Sequence, residues 1–266
     1  MYDSFNRRIN YLRVSVTDRC NLRCQYCMPE EGIPKISHES MLSYEEIRDI
    51  VKLAVEQGIS KVRLTGGEPL VRKGIEDLVG MLAGIEGIED LAMTTNGILL
   101  NQYAEKLKMA GLQRVNVSLD TLDPGKYRIV SRNGNLNHVL EGIKSARLAG
   151  LWPIKINLVV NRFTDESDIQ QVKKYAGENE FGFRIIRQMD RANGDFWKVE
   201  GGDGGNCVQC NRLRLSSDGF FHPCLFSHQR YSVRKYGALK ALQLALENKP
   251  EKGNESGLNE LYTIGG

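Results

Sequence analysis

The sequence predicts an α/β fold in which a partial (β/α)6 barrel is followed by a small C-terminal domain. Over the first 189 residues, six segments with the apolar pattern of β-strands alternate with amphipathic helical segments, which is typical of right-handed βαβ units in a parallel sheet. After residue 189 this alternation ends, and a glycine-rich stretch precedes a hairpin pattern. We therefore predict a barrel domain over residues 1–189 and a smaller domain over residues 190–266.

The predicted strands and helices follow one another with short connections. The six barrel strands cover residues 12–17, 61–65, 90–96, 114–120, 153–160 and 182–189. The first helix has the best-defined start, because Ser43 and Glu46 have the spacing of a capping box. Further helices are expected over residues 136–149 and 238–247, and a hairpin over residues 212–226 with its turn at Asp218 and Gly219.

Four of the predicted strands carry polar residues on one face, although parallel strands are normally buried on both faces. Arg13 and Ser15 alternate with apolar residues on the first strand, and Arg63, Asn116 and Lys155 do so on others. We expect the sheet to curve around a wet space, the lumen, lined with positive charge, which suits an anionic ligand. Solvated sheet edges are the alternative, but an open sheet has only two edge strands.

Composition limits the class of protein. The 266 residues, 41% of them hydrophobic, can form one large core, and a net charge of +3 gives no reason to expect nucleic acid as a partner. No run of 18 apolar residues and no signal-peptide pattern occur, so we expect no membrane partner. The expected location is the cytoplasm, where cysteines are reduced.

All six cysteines fall into two groups of three. The first trio is spaced C-x3-C-x2-C and the second C-x2-C-x13-C; the residues are Cys20, Cys24, Cys27, Cys207, Cys210 and Cys224. This clustering indicates metal binding, because disulfides are rare in the cytoplasm. Zinc would require a fourth ligand, which His222 or His228 could supply only to the second trio. Three thiolates on a four-iron cluster would leave one iron open for a ligand.

Five segments around the cysteines and the strand ends carry motifs. They read LRVSVTDRCNLRCQYCMP at 12–29, KVRLTGGEPL at 61–70, TTNG at 94–97, RVNVSLDTLD at 114–123 and CVQCNRLRLSSDGFFHPCLF at 207–226. Lys249-Pro250 and the terminal Gly265-Gly266 fit the same pattern. Together these segments resemble the radical S-adenosylmethionine (SAM) superfamily and, within it, the GTP 3′,8-cyclase family of molybdenum-cofactor biosynthesis.

The resemblance implies two 4Fe–4S clusters and a set of contact residues. The first trio would hold the cluster that binds SAM, and the second trio would hold a cluster whose open iron meets the guanine of GTP. SAM contacts are implied for Tyr26, Gly67, Ser118 and Met189. GTP contacts are implied for Arg13, Arg63, Thr94, Lys155, Arg212, Leu213 and Arg214. No catalytic side chain is implied, because the chemistry is carried by the cofactors.

The resemblance also implies the reaction and its partners. A deoxyadenosyl radical would remove hydrogen from C3′ of GTP, and C3′ would then attack C8 of the guanine. A reductant such as flavodoxin or ferredoxin would supply the electron, a separate pterin-forming enzyme would use the product, and a homodimer is compatible with the family. The tail ending in Gly265-Gly266 is expected to enter the lumen near Arg13 and Arg63.

The chain departs from this family in one region. The segment over residues 190–206 is shorter than the family's, and Arg187 stands where the family usually has an acid. Two alternatives therefore stay open. One is a paralogue with the same cofactors that acts on another nucleotide or a peptide, and the other is an iron–sulfur electron carrier.

Overall fold

The computed structural model describes residues 1–34, 36–254 and 264, and in these a single nine-stranded sheet curves around the lumen. The strands are β1 (Tyr11–Ser15), β2 (Lys61–Thr65), β3 (Asp90–Thr95), β4 (Arg114–Ser118), β5 (Lys155–Val160), β6 (Gly182–Arg187), β7 (Arg212–Leu215), β8 (Phe220–His222) and β9 (Tyr231–Ser232). Their order across the sheet is β6-β5-β4-β3-β2-β1-β7-β8-β9. Strands β1 to β6 are parallel, which confirms the predicted partial barrel.

Helices connect the barrel strands and cover the outer face of the sheet. They are α1 (Tyr44–Glu56), α2 (Ile75–Ala83), α3 (Leu100–Met109), α4 (Pro124–Ser131), α5 (Leu136–Leu148), α6 (Glu166–Glu178), α7 (Val233–Tyr236) and α8 (Ala238–Glu247). The predicted capping box at the start of α1 is confirmed, since Ser43 and Glu46 each accept a hydrogen bond from the other's backbone N–H. None of the helices in the described residues has the length and apolar character needed to cross a bilayer.

Five of the six predicted strands, those of β1, β3, β4, β5 and β6, are longer than the observed ones, and the structure gives a reason at three of them. Thr17 leaves the strand ladder because its carbonyl accepts a hydrogen bond from Gly67 in the loop after β2. Strand β5 begins at Lys155 instead of Pro153, since a proline has no N–H to donate to a ladder. Strand β6 ends at Arg187 because the chain turns at Asp190, which pairs with Asp195.

The two faces of the barrel strands differ as the alternation predicts. Leu12, Val14, Val62 and Leu64 are buried in the core between the sheet and the helices. The alternate residues, such as Arg13 on β1, face the lumen. The sheet therefore presents an apolar outer face and a polar inner face.

The C-terminal part extends the same sheet. Strand β7 pairs in parallel with β1, and β8 and β9 follow in antiparallel order, which confirms the predicted hairpin. Phe221 and Leu242 belong to the same hydrophobic core as the barrel residues. Because sheet and core continue past residue 189, the division into domains 1–189 and 190–266 stays a prediction.

Candidate functional site

The first cysteine trio lies on the loop that follows β1. Within it, the N–H groups of Cys27 and Met28 both donate to the carbonyl of Cys24, which forms a tight turn. The loop is fastened to the end of α4, where Arg132 donates through Nη1 to the carbonyls of Arg23 and Met28, each at 2.9 Å. The thiols are therefore held at the carboxyl ends of the barrel strands, where active sites of β/α barrels are found.

Burial governs the ionisation of these thiols. It raises the pKa of Cys20 to about 11 and that of Cys27 to about 12, and it raises the pKa of Cys24 well above its ordinary value. Cys20 Sγ accepts hydrogen bonds from Leu22 N at 3.4 Å and Asn96 Nδ2 at 3.8 Å. Thiols in such surroundings become thiolates when a bound metal supplies positive charge. Three soft donors on one loop thus fit an iron–sulfur cluster.

Each trio offers one donor fewer than a structural zinc site, which takes four protein ligands. Within residues 1–34, 36–254 and 264, no three side chains of His, Cys, Asp or Glu are grouped as the ligands of a single ion.

The Gly66-Gly67 loop after β2 packs directly on the loop of the first trio. A Cβ atom on Gly67 would lie 2.3 Å from the carbonyl oxygen of Arg19, and Gly66 has a φ of +151° and would meet Thr17 O at 2.5 Å. Only glycine permits this approach. Gly67, one of the four predicted SAM contacts, therefore lies beside the loop of the first trio.

Glu68 organises the end of the same loop. Its buried carboxylate accepts hydrogen bonds from Thr95 Oγ1 at 2.7 Å, Asn96 N at 2.7 Å and Leu70 N at 3.1 Å. Burial raises the pKa of Glu68 from 4.5 to about 7, although these hydrogen bonds favour the ionised form. Through Asn96, this carboxylate also positions a donor to Cys20.

A pH effect on stability is expected from Glu68. Because its pKa is higher in the folded protein, the folded state keeps a proton that the unfolded state has lost between about pH 4.5 and about pH 7, so stability falls across that range. The Glu68→Gln variant has no carboxyl group at this position and therefore does not show this pH dependence. We expect the free energy of unfolding of the wild type, relative to the variant, to decline with rising pH up to about 7 and then to level off.

The measurement is urea unfolding of metal-free, reduced protein between pH 5 and 8. Replacing exposed Glu89 by Gln serves as the matched control, because Glu89 has no comparable burial. Parallel pH curves for the wild type and Glu68→Gln would contradict the expectation.

Tyr26 and Ser118 lie near the end of β4. Tyr26 donates from its hydroxyl to Asp120 Oδ2 at 2.9 Å, and Asp120 Oδ1 accepts from Val159 N. Burial raises the pKa of Asp120 to about 6. Ser118 is the last residue of β4 and pairs with Asn157. Met189, the fourth predicted SAM contact, instead lines the lumen cavity.

The lumen cavity brings most predicted GTP contacts together with the second trio. Arg13, Arg63, Thr94, Arg212 and Arg214 line it, and so do all three cysteines of that trio. Lys155 is not among the lining residues, but it lies close enough to Arg63 and Arg184 for their charges, after burial, to lower its pKa. Leu213 is fully buried in the core. Its side chain is therefore turned away from the lumen, and only its backbone could contact a ligand.

Among the described residues that line the cavity, seven cationic side chains stand against the one carboxylate of Asp203. Burial, together with the charge of Arg214, lowers the pKa of Arg13, and burial and Arg212 lower that of Arg214 to about 10. Guanidinium groups still keep their protons at neutral pH. In the described part of the protein, Arg63 Nε, Thr94 Oγ1 and Arg212 Nε are buried without a hydrogen-bond partner. An anionic ligand with several acceptor oxygens would satisfy these groups.

Two further cavity residues, Tyr11 and Arg184, were missed by the sequence reasoning. The ring of Tyr11 lies between Arg63 and Arg212, 5.2 and 5.7 Å from their guanidinium carbons. Arg184 also lines the cavity, as does Asn157, which the alternation on the fifth strand places on the same polar face as Lys155. The period-two alternation that identified Arg13 also places Tyr11 and Arg184 on inner faces, and it could have identified them.

The shortened segment closes one side of the cavity. Glu200 pairs with Ile185 on the free edge of β6, and Phe196 stacks on Phe226 with ring centroids 4.6 Å apart. Trp197, Val199 and the glycine-rich loop at 202–205 line the cavity. Arg187, the departure from the family pattern, lies on the same side and is exposed.

The β7–β8 hairpin assembles the second trio from two distant loops. Cys207 and Cys210 precede β7, and Cys224 follows β8. Burial raises the pKa of Cys224. Burial acts in the same direction on Cys210, but the charge of Lys249 and hydrogen bonds from Arg212 N and Lys249 outweigh it, so the pKa of Cys210 is lowered. The donor set again fits an iron–sulfur cluster, here beside a cation.

The C-terminal tail reaches the cavity wall at Ile264. Its carbonyl accepts a hydrogen bond from Arg214 Nη1 at 3.3 Å, and its side chain packs on Leu225 and Phe226. Gly265 and Gly266 lie outside the described residues. Their entry into the lumen near Arg13 and Arg63 therefore stays a prediction.

Comparison with known proteins identifies the family. Residues 14–176 match the model of the Radical SAM superfamily. The chain is 42% identical to a GTP 3′,8-cyclase of Thermodesulfovibrio yellowstonii, over 88% of this chain and 87% of the relative. It is 39% identical to a GTP 3′,8-cyclase of Peptoclostridium acidaminophilum over 319 aligned residues, covering 100% of this chain and 98% of the relative. Since that alignment is longer than the 266-residue chain, the relative contains residues that this chain lacks.

A solved structure supports the fold. The crystal structure of Streptococcus suis SuiB bound to its precursor peptide SuiA superposes with a TM-score of 0.64 at 15% identity, and the match covers 96% of this chain and 65% of SuiB. At that identity the likeness concerns the fold alone. The sequence matches cover most of this chain and of its relatives. The chain therefore belongs to the radical SAM superfamily and, within it, to the GTP 3′,8-cyclase family.

Proposed function

We propose that this chain converts GTP to (8S)-3′,8-cyclo-7,8-dihydroguanosine 5′-triphosphate, the first step of molybdenum-cofactor biosynthesis. The observation that carries the proposal is a cationic cavity shared by the lumen arginines and the second cysteine trio. The triphosphate of GTP matches the charge of the arginines. The guanine base, if it lies next to the second trio, would be within reach of an iron held there. The relatives that carry the cyclase name supply the identity of the nucleotide.

The cofactors of the family are 4Fe–4S clusters and SAM, and the chain offers a place for each. When bound, SAM and the cluster of the first trio supply a deoxyadenosyl radical, the reagent that removes hydrogen from the substrate. Gly67 lies against the loop of the first trio, and Tyr26, Ser118 and Met189 complete the proposed SAM site. The second trio would hold the second 4Fe–4S cluster at the cavity wall.

The substrate is oriented by charge and hydrogen bonding. Arg63, Arg212 and Arg214 hold the triphosphate, since guanidinium forks bind phosphate oxygens in a bidentate manner. Lys155 adds charge at the edge of the site, and Arg13 lies between Arg63 and Arg214 in the register of β2, β1 and β7. Thr94 offers its buried hydroxyl to the ribose. The paired rings of Phe196 and Phe226 exclude water from one side.

The remaining partners follow from this activity. A flavodoxin or a ferredoxin supplies electrons, and a separate pterin-forming enzyme takes the cyclised nucleotide. We place the protein in the cytoplasm, where cysteines stay reduced and available as cluster ligands. A homodimer is compatible with this activity.

The test is anaerobic incubation of the reconstituted protein with SAM, a reductant and GTP, followed by mass spectrometry of the nucleotides. The expected product is the cyclised triphosphate, with deoxyadenosine formed in parallel. If GTP is unchanged while other nucleotides are converted, the chain is a paralogue with a different substrate. If SAM is not cleaved at all, the electron-carrier alternative applies.

Alanine variants of Arg63, Lys155, Arg212 and Arg214 test the proposed phosphate contacts. Each charge-assisted hydrogen bond contributes about 1.5–3 kcal/mol, so each variant should bind GTP roughly tenfold more weakly or worse. Basal SAM cleavage and iron content should persist, and Lys52→Ala, on the exposed face of α1, is the control. Affinities equal to that of the wild type in all four variants would show that the lumen does not bind nucleotides.

A further inference from the structure

Lys249 is a buried cation without a carboxylate partner in the described part of the chain. It is 3% exposed, and no acidic side chain forms an ion pair with it there. Its ammonium donates to the carbonyls of Arg212 at 2.8 Å and Pro223 at 2.7 Å. Buried charges are normally paired, because an isolated one is costly to remove from water. We therefore expect a negatively charged group to bind next to Lys249.

Those neighbours are the second trio. The two carbonyls bound by Lys249 belong to the residue that opens β7 and to the residue before Cys224. An ammonium has three donors, so one remains after these two bonds. Cys210 lies close enough to receive both its charge and a hydrogen bond. Lys249 thus bridges the two loops that supply the cysteines.

Arg7 holds the segment that carries Lys249 in place. This buried side chain donates to the carbonyls of Pro250 at 2.7 Å, Glu251 at 2.8 Å and Cys207 at 2.8 Å. Its Nε binds Asp3 Oδ2 at 2.6 Å, in an ion pair with both side chains buried. The N-terminal segment, the Cys207 loop and the Lys249 segment are therefore fastened at one point.

The same segment then runs along the loop of Cys224. Asn254 N donates to Phe226 O at 3.0 Å, and a Cβ atom on Gly253 would lie 3.4 Å from Cys224 Sγ. Residues 249–254 consequently form a wall of the second trio's site, with Lys249 as its charged element.

We propose that Lys249 is the positioning residue and counter-charge of the second iron–sulfur cluster and raises its reduction potential. The inference rests on the second cluster of the proposed function. Three thiolates make the bound cluster anionic, and reduction adds a further negative charge. A fixed ammonium beside it favours the reduced form. It also holds the Cys224 loop against the strand that follows Cys210.

The test compares Lys249→Met and Lys249→Arg in the full reconstituted chain. Iron content is measured first, and the clusters are then titrated by electron paramagnetic resonance. The signal of the second cluster is identified by its loss in Cys210→Ala. Lys252→Met is the matched control, because Lys252 is exposed on the same segment.

In Lys249→Met, we expect either that the iron content falls from about eight to about four per chain or that the reduction potential of the second cluster becomes more negative. Lys249→Arg should remain closer to the wild type, Lys252→Met should equal it, and the first-cluster signal should be unchanged in all three. The proposal is overturned if Lys249→Met keeps the iron and potential of the wild type, or if Lys249→Arg departs as far as Lys249→Met. A wild type with about four irons would instead refute the second cluster itself.

Discussion

Replacing Cys24 with Ala is expected to remove the first cluster and abolish SAM cleavage, while the second cluster stays bound. Cys24 is the middle cysteine of the C-x3-C-x2-C spacing, and burial acts strongly on its thiol. Two ligands on one loop leave too few thiolates to hold a 4Fe–4S cluster. The iron content should fall from about eight to about four per chain. Iron analysis and the formation of deoxyadenosine measure the two effects.

The matched variant is Cys210→Ala, which should lose the other cluster and keep SAM cleavage. Cys210 lines the lumen cavity on the segment before β7, whereas the cysteines of the first trio are not among the described lining residues, so the two losses should be independent. Tight zinc and no iron–sulfur absorption after anaerobic purification would contradict the assignment of both trios. Loss of both clusters in either variant would show that the two sites are coupled.

Deleting Gly265 and Gly266 is expected to abolish formation of the cyclised nucleotide while SAM cleavage continues. Glycines can thread a narrow channel because they carry no side chain. The carbonyl of Ile264 already contacts Arg214, a residue of the cavity, so the last described residue before these two glycines lies at the cavity wall. Mass spectrometry of the nucleotide and of deoxyadenosine would separate the two activities.

The deletion contains its own structural control. It leaves Ile264 in place, and with it the packing on Leu225 and Phe226 and the bond to Arg214. Unchanged iron content would show that the C-terminal part is still assembled. If the truncated protein cyclises GTP as fast as the intact protein, the tail has no part in catalysis.

Much of the fold could be predicted because the signals are local. The capping box of α1, the six barrel strands and the hairpin at Gly219 each depend on residues within a few positions of one another. The cysteine spacings and the Gly66-Gly67 pair are local as well. They were sufficient to predict the radical SAM fold and its cofactor class, which the family comparison confirms.

Burial of single polar groups could not be predicted. Glu68 and Asp120 occur in recognisable motifs, yet their raised pKa values arise from desolvation by surrounding residues that the motifs do not contain. The sequence shows Lys249 only as half of a Lys-Pro pair. Its hydrogen bonds to Pro223 and Arg212, beside the second trio, join positions separated by 26 and 37 residues, which no local pattern reveals.

By itself, the sequence determined which residues face inward. The two-residue period of a strand places Arg13, Arg63 and Arg214 on the polar faces of their strands, and this placement does not depend on the order or pairing of the strands in the sheet. Tertiary structure decided that these arginines meet, because β7 pairs with β1 in a register that sets Arg214 opposite Arg13, and β2 sets Arg63 on its other side. Strand pairing over some two hundred residues depends on which edges remain free once the core has formed. The cationic lumen is therefore encoded locally in its parts and assembled only by the fold.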